Sequence, residues 1–393
     1  MDEYVEYEEA GGCIEQIKGA FAALLIAPIL ILVAGGVLFW NEGRAVKRAR
    51  DLAQGQSSVV SIAADEVDPA MEGKLVHVNG ELAVDETLKD PTFGVSAKAV
   101  ELKRSVEMYQ WEEDKETKTV RRNGKEYEKT TYRYEKQWAS RVIDSGSFKR
   151  SSSHRNPAQM PFESKTYRAD TVRLGAFTVG DDLIDKVSER SGLPLDPSVK
   201  DSVPASYRSS AAVTDDTVYL NGRTSQPSIG DVRVRFSVFE PQPVSLVAAQ
   251  TDGTFTPYAS EELYDEIALI ETGKHSADEM FQKAKEWNTT LTWILRIGGW
   301  LAMLIGFSMF FAPLEAFVGA IPLVGWLLEN LVEVGTFIVS FLLASALSLV
   351  IVAVGWIFYR PILGILLLLL AGGLVAGLIY LSRSAGGERS AAA

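Results

Sequence analysis

Phe337–Phe358 reads FIVSFLLASALSLVIVAVGWIF, and Ile362–Leu381 reads ILGILLLLLAGGLVAGLIYL. The first run contains no ionisable side chain, and the second contains only Tyr380. Each run reaches the roughly 20 apolar residues that a helix needs to cross a bilayer. Because only residues 359–361 separate them, the runs are predicted to form a tight antiparallel hairpin of the third and fourth transmembrane helices within residues 335–381.

Two further apolar runs lie upstream. Residues 17–40 are predicted to form the first transmembrane helix, because no positively charged segment precedes them and no cleavage site for a signal peptide follows. Ser276-Ala277-Asp278-Glu279 matches a helix capping box. The helix that begins there has no early Gly or Pro, so residues 276–312 are predicted to continue from the soluble domain into the second transmembrane helix.

The segments flanking these helices are predicted from their charges. Residues 1–16 form an acidic tail, expected to be solvated and partly disordered, and residues 382–393 form a second tail. Residues 313–334 are apolar with only acidic charges, which favours an interfacial or re-entrant helix over a full span.

Residues 41–275 have short alternating runs separated by Gly, Pro, Asn and Asp, a pattern typical of β-strands. Gly73–Leu82 and Thr217–Thr224 both end an apolar run at Asn-Gly, which suggests two related β units. The predicted fold class is therefore an α-helical membrane protein with four spans and a re-entrant or interfacial helix between spans 2 and 3. A large α+β, β-rich soluble domain is inserted between spans 1 and 2.

One hairpin carries a predicted partner-contact face. Asn123-Gly124 is the favoured pair for a two-residue type I′ turn. The register that this turn imposes places five aromatic side chains on one face of the ribbon. This face either contacts a protein or lipid partner or packs on the rest of the domain. Its residues are Tyr109, Trp111, Tyr132, Tyr134 and Trp138.

Composition and motifs argue against several classes of function. The net charge of −12 and the pI near 5.0 disfavour nucleic acid as a partner. The single Cys13 allows no intramolecular disulfide, and the three histidines lack the spacing of metal ligands. No phosphate-binding loop, HExxH, CxxC or GxSxG motif is present. We therefore predict that the protein is not an enzyme and has neither a cofactor nor a metal site.

Charges and small residues near the membrane are further candidates for function, since charges at that depth are costly. They either line an ion path in an oligomer or lie at the interface and extend towards water. Gly373 and Gly377 have the GxxxG spacing that favours close helix packing. The candidate charges are Arg296, Glu315, Glu329, Glu333 and Arg360.

The chain resembles the transmembrane protein 43 (LUMA) family. The stretches that carry the resemblance follow the family's order along nearly the whole chain. This resemblance implies four spans and a large domain between the first two, with no catalytic motif. It also implies self-association and roles in nuclear-envelope scaffolding, with channel-related and stress or defence signalling roles proposed. The stretches are NEGRA (41–45), EGKLVHVNG (72–80), DPTFGV (90–95), VEMYQW (106–111), GDVRVRFS (230–237) and GWIFYRP (355–361).

Two alternatives concern the membrane. For a eukaryotic source, the resemblance implies the endoplasmic reticulum or inner nuclear membrane. For a bacterial source, the plasma (inner) membrane is expected. The resemblance also implies a luminal large domain. The cations flanking that domain, such as Arg44, Arg48 and Lys283, instead favour a cytoplasmic one by the positive-inside rule.

The leading hypothesis is a non-enzymatic, self-associating membrane scaffold or signalling component. Its expected partners are membrane lipid, further copies of the chain, and proteins bound through the soluble domain. The alternative is an oligomeric ion channel or channel subunit with Glu329, Glu333 and Arg296 near the conducting path. An enzyme acting on lipid headgroups would require a polar cluster at the membrane face of the domain.

Overall fold

The computed structural model describes residues 2–9, 13–122, 125–187, 189–221, 225–319, 325–357 and 361–390. The described helices are α1 (Cys13–Ser58), α2 (Asp181–Ile184), α3 (Val199–Ser202), α4 (Ala205–Arg208), α5 (Ala277–Gly319), α6 (Gly325–Ile357) and α7 (Pro361–Ser390).

The described strands belong to the β-rich part of the chain. They are β1 (Asp2–Glu9), β2 (Val60–Ile62), β3 (Leu75–Ala83), β4 (Leu88–Asp90), β5 (Val95–Ala97), β6 (Glu101–Arg122), β7 (Lys125–Ala139), β8 (Lys165–Arg168), β9 (Arg173–Leu174), β10 (Phe177–Thr178), β11 (Ser191–Gly192), β12 (Ala212–Thr214), β13 (Thr217–Leu220), β14 (Val232–Phe239), β15 (Pro243–Thr251), β16 (Thr254–Thr256) and β17 (Leu269–Thr272).

The chain divides into two compact units. One contains β1, Ser58–Ser260 and Glu266–Met280, and therefore all of the strands. The other contains most of α1, the short segment Glu261–Asp265, and α5 to α7 from Phe281 onward. The β-rich soluble region expected between the first two membrane helices is therefore present.

Two large sheets and the two-stranded β4-β5 sheet make up the described strands of the β-rich unit. The first has the order β1-β7-β6-β14-β13-β12, with β11 added to β14 and β8 added to β6. The second has the order β17-β15-β16-β10-β9-β3-β2, and an additional β15–β3 pairing closes a circuit of five strands. The two segments that suggested related units lie in different sheets, since Gly73–Leu82 contains most of β3 and Thr217–Thr224 contains β13.

The strands bury one continuous apolar core to which both sheets contribute. Val234 and Phe236 enter it from β14, and Leu246 enters it from β15. Phe93 is fully buried in this core, with its ring centroid 5.2 Å from that of Phe162 and 5.9 Å from that of Phe236. Burial of these side chains supplies the main driving force for folding of the unit.

The DPTFGV stretch has a structural explanation in this core. The Asp90 carboxylate accepts backbone hydrogen bonds from Thr92 and Phe93, at 2.9 and 3.0 Å. It also pairs with the Arg104 guanidinium at 2.7 Å, and the Asp90 side chain is fully buried. Gly94 follows with φ +69°, a conformation that glycine adopts without strain. The motif therefore fixes a buried turn.

Among the described residues, three helices are long and apolar enough to cross a membrane: Phe21–Ser58, Ala277–Glu315 and Leu331–Ile357. A shorter apolar helix spans Gly364–Gly377. The first helix does not end where its apolar run ends at Trp40, because α1 continues through the NEGRA stretch to Ser58. The hydropathy of the sequence marked the apolar part of the helix and not its end.

Glycines allow the helices to approach closely. A Cβ atom at Gly299 of α5 would lie 2.6 Å from the Leu38 side chain of α1. A Cβ atom at Gly306 of α5 would lie 2.7 Å from the Ile31 side chain of α1. A Cβ at Gly364 of α7 would lie 3.0 Å from the Ala353 carbonyl oxygen of α6. Packing of small residues against a neighbouring helix is the usual way in which membrane helices associate.

Two segments differ from their predicted form. The predicted partly disordered tail contains β1, which pairs with β7 in the register Tyr4↔Tyr132. The described residues of 313–334 belong to the end of α5 and the start of α6 and not to a separate helix. Residues 320–324 and 358–360 lie outside the described residues, and the second range contains most of the predicted hairpin connection.

Candidate functional site

The aromatic ribbon consists of β6 and β7, and its predicted register is confirmed. Tyr109 pairs with Trp138, Trp111 with Lys136, and Lys115 with Tyr132. The predicted Asn123-Gly124 turn lies outside the described residues. The pairing places all five predicted aromatic side chains on one face of the ribbon.

The five aromatic side chains differ in burial. Tyr134 is 1% exposed and Tyr132 is 8% exposed, and both pack with Phe148. Tyr109, Trp111 and Trp138 are half-buried. Tyr109 and Trp138 contact each other, with ring centroids 5.2 Å apart. The accessible aromatic surface of this face of the ribbon is therefore supplied by these three residues.

A buried histidine holds the ribbon to β1. The His154 ring stacks on Tyr134 at 3.8 Å and meets Trp111 edge-on at 4.6 Å. Its Nε2 atom lies 3.1 Å from Oδ2 of Asp2, and its Nδ1 atom lies 3.2 Å from the Arg150 carbonyl oxygen. The first residues of the described chain are thus tied to the aromatic face.

Tyr134 is itself fully engaged. Its hydroxyl donates to Oε2 of Glu113 at 2.7 Å and accepts the backbone N–H of Arg150 at 3.1 Å. Burial, together with the bond to the Glu113 carboxylate, raises the pKa of Tyr134 to about 12. Tyr134 is therefore a neutral hydrogen-bond donor at neutral pH.

A groove lies beside this cluster. Its volume is about 640 Å³, within the range of small-molecule sites. Over one of its walls, the Lys136 ammonium lies 4.6 Å from the centre of the Trp111 ring, the geometry of a cation–π contact. The lining residues are Asp2, Tyr109, Trp111, Tyr134, Glu135 and Lys136.

A second polar cluster lies among the helices. Glu42 of α1 is 1% exposed, and its carboxylate receives both Nε and Nη2 of Arg296 from α5, each at 2.7 Å. The indole N–H of Trp356 from α6 donates to the same carboxylate at 2.6 Å. Gly355 lies against the Glu42 side chain, where a Cβ atom would be 2.8 Å away. One carboxylate therefore connects three helices.

The neighbouring turn of α1 extends this network. Asn41 is fully buried and donates to the Thr292 carbonyl oxygen at 3.1 Å. Arg44 donates to the Asn288 side-chain oxygen at 2.9 Å and to the Thr292 hydroxyl at 3.0 Å. Asn288 in turn donates to the Ala45 carbonyl oxygen at 2.9 Å. Buried polar groups that are bonded in this way fix the register of α1 against α5.

The predicted membrane charges therefore have different environments. Arg296 is paired within the cluster, whereas Glu315 accepts a hydrogen bond from the Thr336 hydroxyl. Glu333 is exposed on α6. Arg360 and the side chain of Glu329 lie outside the part of the chain that the structure describes.

The predicted helix-packing glycines are exposed. At Gly373 and Gly377 an added Cβ would meet nothing within 4 Å among the described residues. Also within those residues, no group of three or more His, Cys, Asp or Glu side chains is placed to hold a metal ion.

Comparisons with known proteins agree with the sequence resemblance. A family model described as Transmembrane protein 43 matches residues 108–361. The chain is 34% identical to Transmembrane protein 43 of Mus musculus over 369 residues, which cover 91% of this chain and 90% of that protein. It is 33% identical to the Homo sapiens protein over 367 residues (91% and 89%). It is 30% identical to the Drosophila melanogaster homolog over 367 residues (90% and 93%). These names designate membrane proteins and no enzyme. No solved structure matches the chain.

Proposed function

Because the chain belongs to the transmembrane protein 43 family, we propose that it is a non-enzymatic, four-span membrane scaffold or signalling component that self-associates. Its β-rich domain binds protein or lipid partners. The shorter apolar helix Gly364–Gly377 supplies the fourth span as part of the longer α7.

The observation that carries this proposal is the distribution of polarity over the helices. Large apolar side chains such as Leu32, at 75% exposed, and Leu369, at 68%, lie on the outside of the helices. The Glu42–Arg296 ion pair lies inside, at 1% and 15% side-chain exposure. Apolar surface facing outward with charges paired inward is the arrangement that hydrocarbon requires. A large β-rich domain on such an anchor is suited to binding at a membrane surface.

Self-association is assigned to α7. Gly373 and Gly377 lie one helical turn apart and have the small-xxx-small spacing. Both are unpacked within the described residues, while Leu370 beside them is 56% exposed. A second copy of α7 would allow these glycines to make close backbone contact without displacing any described side chain.

The test uses the full chain in lipid vesicles with quantitative cross-linking and native mass spectrometry. Gly373→Leu combined with Gly377→Leu should reduce the oligomer, because the leucines hold the helix backbones apart. Gly298→Leu on α5, where an added Cβ also meets nothing within 4 Å, is the matched control and should leave it unchanged. A wild-type chain that remains monomeric in vesicles would refute self-association.

The alternative, an oligomeric ion channel, is supported by one observation. Glu333 is an exposed carboxylate on α6, near the start of its apolar segment Leu331–Ile357. Arg296 is a poor candidate for a conducting path because its charge is neutralised by Glu42. A channel predicts that Glu329→Gln with Glu333→Gln changes ion flux into liposomes. A scaffold predicts unchanged assembly and no flux above that of empty liposomes.

A further inference from the structure

The groove beside the aromatic ribbon has walls of two kinds. Tyr109 and Trp111 supply half-buried aromatic rings, and Asp2 and Lys136 supply opposite charges. Glu135 alternates to the other face of the ribbon because it pairs with Glu112. Asp2 is therefore the carboxylate on the aromatic side of this groove.

One cation already occupies an aromatic face of the groove. The Lys136 ammonium lies 4.6 Å from the centre of the Trp111 ring. Because Lys136 is exposed and has a long flexible stem, a ligand cation can replace it on the ring at low cost. Ring faces carry negative charge but no strong acceptor, so they suit an ammonium that has no N–H groups to satisfy.

The charges select a ligand that carries both signs. A lone cation would be repelled by Lys136, and a lone anion would be repelled by Asp2 and by the negative faces of the rings. A zwitterion avoids both penalties, since its anionic group pairs with the displaced Lys136 ammonium. Asp2 is held at the groove by His154, at 3.1 Å, while its side chain stays 52% exposed.

We propose that this groove binds the phosphocholine group. The quaternary ammonium lies on the Trp111 ring beside Asp2, and the phosphate pairs with Lys136. The volume of about 640 Å³ accommodates a group of this size. The inference rests on the proposed role of the β-rich domain in binding partners and specifies their chemistry. The same group is available from a phosphatidylcholine membrane and from soluble phosphocholine esters.

The experiment titrates the full chain in phosphatidylglycerol nanodiscs, which contain no choline, by isothermal titration calorimetry. The probes are phosphocholine, tetramethylammonium and inorganic phosphate. Phosphocholine should bind saturably and about tenfold or more tightly than either fragment, since it alone satisfies both charged groups. Absence of saturable phosphocholine binding, or tighter binding of a trimethyllysine peptide, would overturn the proposal.

Two variants test the assigned contacts. Trp111→Leu should weaken phosphocholine binding by about 2- to 30-fold through loss of the cation–π contact. Lys136→Met should also weaken phosphocholine binding, yet leave tetramethylammonium binding equal or tighter because it removes the internal competitor. Lys136 is exposed, so this variant is informative even where Trp111→Leu perturbs folding.

The matched control is Trp138→Leu. Trp138 lies on the same face and also makes a cation–π contact, since the Arg233 guanidinium lies 4.6 Å from the centre of its ring. Trp138 does not line the groove. An equal loss of binding in this variant, or tighter phosphocholine binding in Lys136→Met, would refute the assignment. Phosphatidylcholine vesicles that compete for the site identify a membrane headgroup as the source, and vesicles that do not compete identify a soluble ester. The α7 cross-linking test is separate, so either proposal can fail alone.

Discussion

The Glu42–Arg296 ion pair should respond to mutation as a unit. Glu42→Gln removes a carboxylate that accepts three hydrogen bonds. Two come from Arg296 nitrogens, each at 2.7 Å, and one comes from the Trp356 indole N–H at 2.6 Å. With Glu42 1% exposed, the variant leaves a guanidinium buried without its counter-charge. Breaking such a pair costs about 3–5 kcal/mol. Arg296→Met should cost a similar amount, because it leaves the carboxylate unpaired.

The double variant separates the ion pair from simple packing. Glu42→Gln combined with Arg296→Met contains no unpaired buried charge. Its loss of unfolding free energy should therefore be smaller than the summed losses of the two single variants by at least about 2 kcal/mol. The assay is reversible unfolding of the full chain in mixed detergent micelles with increasing sodium dodecyl sulfate, followed by far-UV circular dichroism. Single-variant costs that add to within about 0.5 kcal/mol in the double variant would refute the coupling.

Three further predictions concern the β-rich domain. Burial lowers the pKa of His77 below 6.5, so its contribution to denaturant stability should be fully present above the unfolded-state pKa and be lost as the pH falls through the folded-state pKa. His77→Gln should flatten that part of the stability profile. Asp90→Asn should destabilise the domain by about 3–5 kcal/mol in urea, since it leaves the Arg104 guanidinium unpaired in the core, and a midpoint unchanged from wild type would contradict this. Gly175 has φ +63°, and Gly175→Ala would place a Cβ 2.0 Å from the Ala64 carbonyl oxygen, so this variant should markedly lower the thermal midpoint. Gly73→Ala is the control: Gly73 has a similar φ of +71° but open space around it, so this variant should cost only about 1–2 kcal/mol. Equal effects of the two variants would refute the steric explanation.

Local sequence signals were sufficient for the register of the aromatic ribbon and for the three membrane-length helices. A two-residue turn fixes the register of a hairpin, and period-two alternation fixes the face of each side chain. The register around Tyr109 and Trp138 was therefore predictable without knowledge of the rest of the chain. Apolar runs longer than a bilayer similarly identify helices from composition alone.

The N-terminal strand was missed because its partner is distant in sequence. The segment Asp2–Glu9 has the acidic composition of a solvated tail. In the fold, however, Tyr4 lies 6.1 Å from Tyr132, Glu6 pairs with Lys149 at 2.6 Å, and Arg150 lies over the Tyr4 ring at 4.6 Å. These contacts offset the repulsion among the acidic side chains of the segment. Composition alone reveals the repulsion but not the distant partners that offset it.

The polar cluster of the helices was also missed, although one half of it has a local signature. Asn288, Thr292 and Arg296 follow one another at intervals of four residues, which places them on a single face of α5. Three polar residues on one face at the start of an apolar run require a polar neighbour, because hydrocarbon offers them no partner. Asn41 and Glu42, at the end of the first apolar run, supply it. Polar residues spaced in this way therefore predict a neighbouring polar helix from sequence alone. The i+4 spacing distinguishes them from isolated charges at a membrane interface.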